Sequence, residues 1–210
     1  MYYQLATLFG LGRLPGGGTW ASLFVLILAI LSNDPSNILI FFTITTLIFG
    51  PSIYKKSLPL FNSKDPKEFV LDEVIGMALA LMIVHLFSDI FGSFAFNLPS
   101  YVSNQEILFL MTFTLFRIFD ISKIGPVGWT EDPSIAPSWW KTWNSAEDNE
   151  YMKVIGDDIV AAFLSAVIII IMLSIPRLII ALVFFTNIAI LDFKTDILKI
   201  KGKSKYNKLN

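Results

Sequence analysis

Apolar residues in this chain gather into runs that are apolar all round, without the polar face of a helix lying on a soluble core. Six such segments can be marked: Trp20–Leu31, Ile38–Phe49, Val70–Phe91, about Ile107–Ile121, Ile159–Ile175 and Leu178–Leu191. Turn formers punctuate them. Pro15 to Gly18 precede the first, Ser32-Asn33-Asp34-Pro35 closes it, and Gly50-Pro51 ends the second. The third and fourth are long enough to cross a bilayer, and the polar stretch Gly92–Gln105 between them reads as an outer loop. The first two fall short of the roughly 20 residues a crossing needs, so they either extend into flanking residues or form re-entrant hairpins. Pro176-Arg177 makes the last two a tight hairpin or one broken helix, and the hairpin is the expectation. The pattern predicts an all-α fold, a polytopic transmembrane helical bundle of about six membrane segments. A membrane-embedded helical domain would cover 1–193, and a basic tail 194–210.

Composition agrees. The chain is 54% hydrophobic and 16% charged, with mean hydropathy +0.64. Soluble domains are nearer 45–50% apolar and about 25% charged, so the excess belongs to lipid-facing surface. A net charge of −1 gives no footprint for nucleic acid, and the apolar excess makes the lipid bilayer the expected surroundings. The absence of cysteine excludes disulfides, a thiolate nucleophile and Cys-ligated metal. One histidine, His85, excludes sites needing two from one chain; within an apolar run it reads as a hydrogen-bonded packing residue. Tyr2–Leu14 lacks the basic and apolar regions of a cleavable secretion signal.

Charge orients the bundle. Lys194, Lys199, Lys201, Lys203, Lys205 and Lys208 in the tail outweigh Asp196, which puts the tail in the cytoplasm. Six crossings return the N-terminus to that side and place Lys55, Lys56, Lys64 and Lys67 there too; Arg177 dissents.

Polar groups at the ends of apolar helices are costly, and they form four clusters on the cytoplasmic side of this topology. They are Gly16-Gly17-Gly18-Thr19 with Ser22, Asp72-Glu73, Arg117 with Asp120 and Lys123, and Asp157-Asp158. Both acidic pairs are expected at helix N-termini, where the macrodipole favours carboxylates. Adjacent carboxylates at two separate starts exceed what capping needs. Asp72, Glu73, Asp157 and Asp158 around one cavity would repel unless neutralised by a hard cation, and Mg2+ with oxygen ligands suits them. Arg117, Asp120 and Lys123 are spaced by three and share a helix face. Arg117 either snorkels to headgroups or, with Lys123, holds phosphate, with Asp120 orienting Arg117 or binding metal. The glycine segment can form an anion-binding nest, with Gly18, Thr19 and Ser22 touching phosphate or capping the first helix. Gly76, Ala80, Ala161, Ala162, Ser165 and Ala166 allow the helices bearing the acidic pairs to approach closely. Trp129, Trp139, Trp140 and Trp143, in a loop near 125–153, suggest an interfacial flap whose acidic residues are surface groups.

At these residues the sequence resembles the phosphatidylglycerophosphatase A family. Gly10-Leu11-Gly12-Arg13-Leu14-Pro15-Gly16-Gly17-Gly18-Thr19-Trp20-Ala21-Ser22 is similar to its glycine-rich opening. Asp72-Glu73-Val74-Ile75-Gly76-Met77 matches its Asp-Glu-x-x-Gly block, and Phe116-Arg117-Ile118-Phe119-Asp120-Ile121-Ser122-Lys123 its Phe-Arg-x-x-Asp-x-x-Lys block. Gly156-Asp157-Asp158-Ile159-Val160-Ala161-Ala162 resembles its Asp-Asp-x-x-Ala-Gly block. Gly17 and Ala21 replace the usual proline and glycine, and Ile124 the proline after the lysine. The resemblance implies a bacterial inner-membrane enzyme, a phosphoric monoester hydrolase whose active site faces the cytoplasm. It would convert phosphatidylglycerophosphate to phosphatidylglycerol and phosphate with Mg2+. Asp72, Glu73, Arg117, Asp120, Lys123, Asp157 and Asp158 inherit the active-site role. Attack would come from water or from Asp72, Asp157 or Asp158 through an aspartyl-phosphate. An alcohol phosphatidyltransferase would also use aspartates and Mg2+ at a membrane edge, but with a denser motif on one or two helices. A transporter would place charge at mid-membrane depth.

Overall fold

A computed structural model describes residues 1–61, 66–91, 104–132, 134–138, 151–175, 182 and 185–186. The secondary structure is all α-helical among the described residues. A short helix α1 (Tyr2–Ala6) leads into a kinked 3-10 stretch, Leu8–Arg13, and then come α2 (Gly17–Leu31) and α3 (Pro35–Ser57). Next are α4 (Leu71–Phe91), α5 (Asn104–Ser122) and α6 (Pro126–Glu131), followed by α7 (Tyr151–Ile175). Contacts divide the chain into a unit ending at Ile170 and a second beginning at Ile171.

Three of these helices are long and apolar enough to cross a membrane: α3 with its following turn, α4 and α7. Within the first unit α4 is central, with 56% of its apolar span buried against 22% for α3. It packs on α2, α3 and α5. Small side chains let the helices close up: Ala21, Val25 and Ala29 of α2, Ala78 and Ala80 of α4, and Ala161 and Ala162 of α7 share one core with Phe109 and Phe116. Helix α5 is 19 residues long but holds Glu106, Arg117 and Asp120, which sets it apart from the three apolar spans.

The second segment is corrected by this architecture. Ile38–Phe49 is neither short nor re-entrant, because α3 runs through Gly50-Pro51 to Ser57 over 23 residues. Asp34 starts it by accepting from the amide of Ser36, Pro35 fits its first turn, and Pro51 is carried inside. Proline removes one amide, and membrane helices tolerate this where neighbours restore the backbone bonding. The Tyr151 hydroxyl donates to the carbonyl of Thr46, 3.1 Å away, next in sequence to the Leu47 carbonyl whose usual donor the proline lacks. The first segment does remain short: α2 has 15 residues, a rise of about 22 Å against a hydrocarbon core of about 30 Å.

Helix α7 is already formed at Tyr151, eight residues ahead of the expected Ile159. Tyr151 and Ile155 are buried beside Tyr54, Phe69 and Ile75, which gives the added turns an apolar face. Asp157 and Asp158 therefore lie more than one turn inside α7, and the expectation that they open the helix at its positive dipole end fails. Asp72 and Glu73 do occupy the first turn of α4. Trp139, Trp140 and Trp143, the sixth segment Leu178–Leu191 apart from three residues, and the basic tail lie outside the described residues.

Candidate active site

Four helices bring the charged clusters together. Asp120 sits at the end of α5 with 7% exposure, and Asp158 in α7 with 3%. Asp120, Asp157 and Asp158 each offer a carboxylate oxygen, and these atoms all lie within 4.8 Å of one another. Two cations frame the trio. Arg117 Nη1 is 2.5 Å from Asp120 Oδ2, with only 12% of the arginine side chain exposed. Lys123 Nζ pairs with Asp120 Oδ1 at 3.1 Å and more closely with Asp157 Oδ2. Burial alone would lower the Lys123 ammonium, but the hydrogen bond and charge of Asp157, joined by Asp120, outweigh it and raise its pKa.

Lys123 reaches this position from a left-handed backbone, φ 50°, at the end of α5, where its amide donates to Phe119 O at 2.9 Å. That conformation usually belongs to glycine at a helix terminus and costs a lysine roughly 1 kcal/mol. The turn aims the ammonium back at Asp120 and across at Asp157.

The α4 pair borders the same group. Asp72 lies in the field of Asp158 and Asp157, and Glu73 in that of Asp120 and Arg117. Asp72 Oδ1 accepts from the Glu73 amide at 3.1 Å. Glycines make the approach possible. A Cβ on Gly76 would stand 2.8 Å from the Phe116 ring and 2.9 Å from Asp158 Cβ. A Cβ on Gly18 would enter the Glu73 carboxylate. The glycine-rich entry thus works here by close approach, since Gly18 makes room for Glu73. Ser22 donates its hydroxyl to Gly18 O at 2.9 Å, and the amide of Thr19 donates to Gly16 O at 2.8 Å, so both groups serve the helix start.

Electrostatics leaves the cluster incomplete as protein alone. Asp72, Glu73, Asp120, Asp157 and Asp158 face Arg117 and Lys123, five carboxylates against two cations, a formal −3. Carboxylates 4.8 Å apart repel by about 3 kcal/mol per pair at an effective dielectric of about 20. Glu73 Oε2 and Asp158 Oδ1 are buried without a hydrogen-bond partner, as is Arg117 Nε. Orphaned hard oxygens beside a like-charged trio suit a divalent cation, and an unspent guanidinium donor suits an anion.

Comparison with known proteins bears on this geometry. Residues 4–173 match the phosphatidylglycerophosphatase A family. The chain belongs to that family. No curated protein and no solved structure matches significantly. Membership in the phosphatidylglycerophosphatase A family indicates a hydrolase with a membrane lipid-phosphatase type of activity, and is consistent with a multi-pass protein of the bacterial inner membrane. The apolar helices agree with a lipid substrate.

Tyr151 and Gly50 carry a contact that the sequence hid. The Tyr151 phenol fills the notch left by Gly50 and so ties α7 to α3. Gly50 looked like the end of a helix and Tyr151 like part of the Trp-rich loop. His85, in contrast, is the packing residue expected: its ring bonds Ser36 Oγ at 3.0 Å and Gln105 Nε2 at 3.2 Å.

Proposed function

We propose that the protein hydrolyses the terminal phosphomonoester of phosphatidylglycerophosphate to phosphatidylglycerol and phosphate, in a reaction requiring Mg2+. The observation that carries this is Arg117, whose buried Nε lacks an acceptor while Nη1 is held by Asp120 beside the carboxylates of Asp157 and Asp158. An anion for the guanidinium and a divalent cation for the carboxylates complete both at once. Asp72, Glu73, Asp157 and Asp158, with Asp120, are the residues to hold Mg2+. When bound, the ion supplies neutralising charge and Lewis acidity toward phosphate oxygen.

The chain's own groups then have separate tasks. Arg117 holds the phosphoryl oxygens with a planar fork, and Lys123 adds a point charge that grows in value as negative charge develops. Asp120 fixes both cations through its two oxygens. Asp158, with Oδ1 unspent, is placed either to take the proton of an attacking water or to attack phosphorus itself. The apolar flanks keep lipid tails in hydrocarbon while the headgroup reaches the charges. The same reading takes six membrane segments, with the catalytic edge on the cytoplasmic face where the lysines concentrate.

Purified protein in detergent, given phosphatidylglycerophosphate and no nucleotide, should release phosphate with Mg2+ and stop with excess chelator. Absence of release from active, folded protein would remove the assignment. A requirement for a nucleotide-activated lipid would instead favour a phosphatidyltransferase.

A further inference from the structure

Arg13 lies in the glycine-rich segment that leads into α2 and has no part in the chemistry above. Its side chain is 62% exposed, and its Nε lies 4.0 Å from Glu68 Oε2. The same Nε donates to the Tyr3 hydroxyl at 2.9 Å, the guanidinium lies over the Tyr3 ring at 4.9 Å, and that hydroxyl donates to Glu68 Oε2 at 2.5 Å. One edge of the fork is thus fixed, while the terminal nitrogens make no hydrogen bond among the described residues.

Backbone packing ties this loop to the site. A Cβ on Gly12 would enter the Glu68 carbonyl and come within 3.0 Å of Val70 Cγ1, and one on Gly17 would strike Gly12. The next glycine, Gly18, abuts the Glu73 carboxylate. Arg13 therefore follows the first rung of a close-packed ladder ending at the acidic cluster. Around it Phe9, Leu14 and Trp20 are 77%, 44% and 46% exposed. Exposed tryptophan with apolar neighbours belongs at the headgroup layer, the depth of lipid phosphodiesters.

We propose that Arg13 forms a second anion subsite, holding the phosphodiester of the lipid headgroup while Arg117 and Lys123 hold the terminal monoester. This rests on the phosphatase reading above. The substrate carries two phosphates joined by glycerol, and one cation set recognises only the monoester. A second cation at headgroup depth selects a monoester that sits one glycerol beyond a diester. Glu68 opposes the anion, and its removal strengthens the subsite.

The test is kinetic, in dodecylmaltoside, where the substrate supplies the sole phosphodiester. R13A should raise KM for phosphatidylglycerophosphate about fivefold, the worth of an exposed charge contact, leave the inhibition constant of inorganic phosphate unchanged, and E68Q should lower KM. An unchanged KM in R13A, or an equal rise in KM and in the phosphate constant, overturns the subsite. So does an effect that emerges only when bulk phosphatidylcholine is added, which would make Arg13 a contact for surrounding lipid. If the parent protein releases no phosphate, the phosphatase reading fails by itself. Binding of short-chain phosphatidylglycerol, which has the diester alone, still decides the subsite: weaker binding by R13A supports it, and equal binding overturns it.

Discussion

Lys123 combines a backbone cost with a charge the site needs, so the two can be separated by substitution. Lys123→Gly relieves the left-handed strain and removes the ammonium. The variant should keep its thermal stability and lose phosphate release by about a hundredfold, in line with the loss of one preorganised electrostatic contact. Undiminished turnover would take Lys123 out of phosphate binding. Glycines give a second residue-level expectation. Gly76→Ala forces a methyl against Phe116 and Asp158, and should cost about 1–3 kcal/mol in unfolding experiments together with much of the activity. Gly18→Ala should lower activity at least tenfold while the fold persists, because its Cβ meets the end of the Glu73 side chain, which can swing away. The charged residues were legible in the sequence, since carboxylates and cations at apolar helix ends have few bland explanations. The partners were less so. Asp120 looked like an orienter of Arg117 with metal binding as its alternative, and only packing puts its oxygen within 4.8 Å of those of Asp157 and Asp158.

Among the elements, α3 and α7 depart furthest from their sequence pattern, for one shared reason. Gly50-Pro51 is turn chemistry in a soluble chain, yet α3 continues through it while Tyr151 of α7 fills the Gly50 notch and bonds the Thr46 carbonyl. A local rule lost to a contact between residues about a hundred positions apart. Tyr151→Phe should cost about 1 kcal/mol, the net value of one buried hydrogen bond. Gly50→Ala should cost more, since its methyl displaces the ring and with it this part of α7. Thermal unfolding in detergent ranks the two, and the reverse order would contradict this account of the α3–α7 contact. The start of helix α4 was legible to within one residue because its run is long, apolar and led by Asp72-Glu73.

For the whole molecule, the all-α class followed from unbroken apolar runs, and three described helices have the length and hydropathy to cross a membrane. The lysine bias adds an orientation that labelling can check, and the native absence of cysteine makes single-cysteine variants clean probes. Lys55→Cys and Lys205→Cys should react with an impermeant thiol reagent only from the cytoplasmic side, and Asp34→Cys only from the outer side. The opposite pattern would invert the bundle and put its acidic cluster on the wrong face for the proposed reaction. The central claim is that these carboxylates form a metal-dependent phosphatase centre. Its most direct measurement is the Mg2+ dependence of phosphate release from phosphatidylglycerophosphate by the parent, Asp120→Asn, Asp157→Asn and Asp158→Asn. The account predicts release by the parent that saturates with Mg2+, and in each variant a half-saturating concentration at least tenfold higher or no release at all. Parent-like Mg2+ curves in all three variants would contradict it.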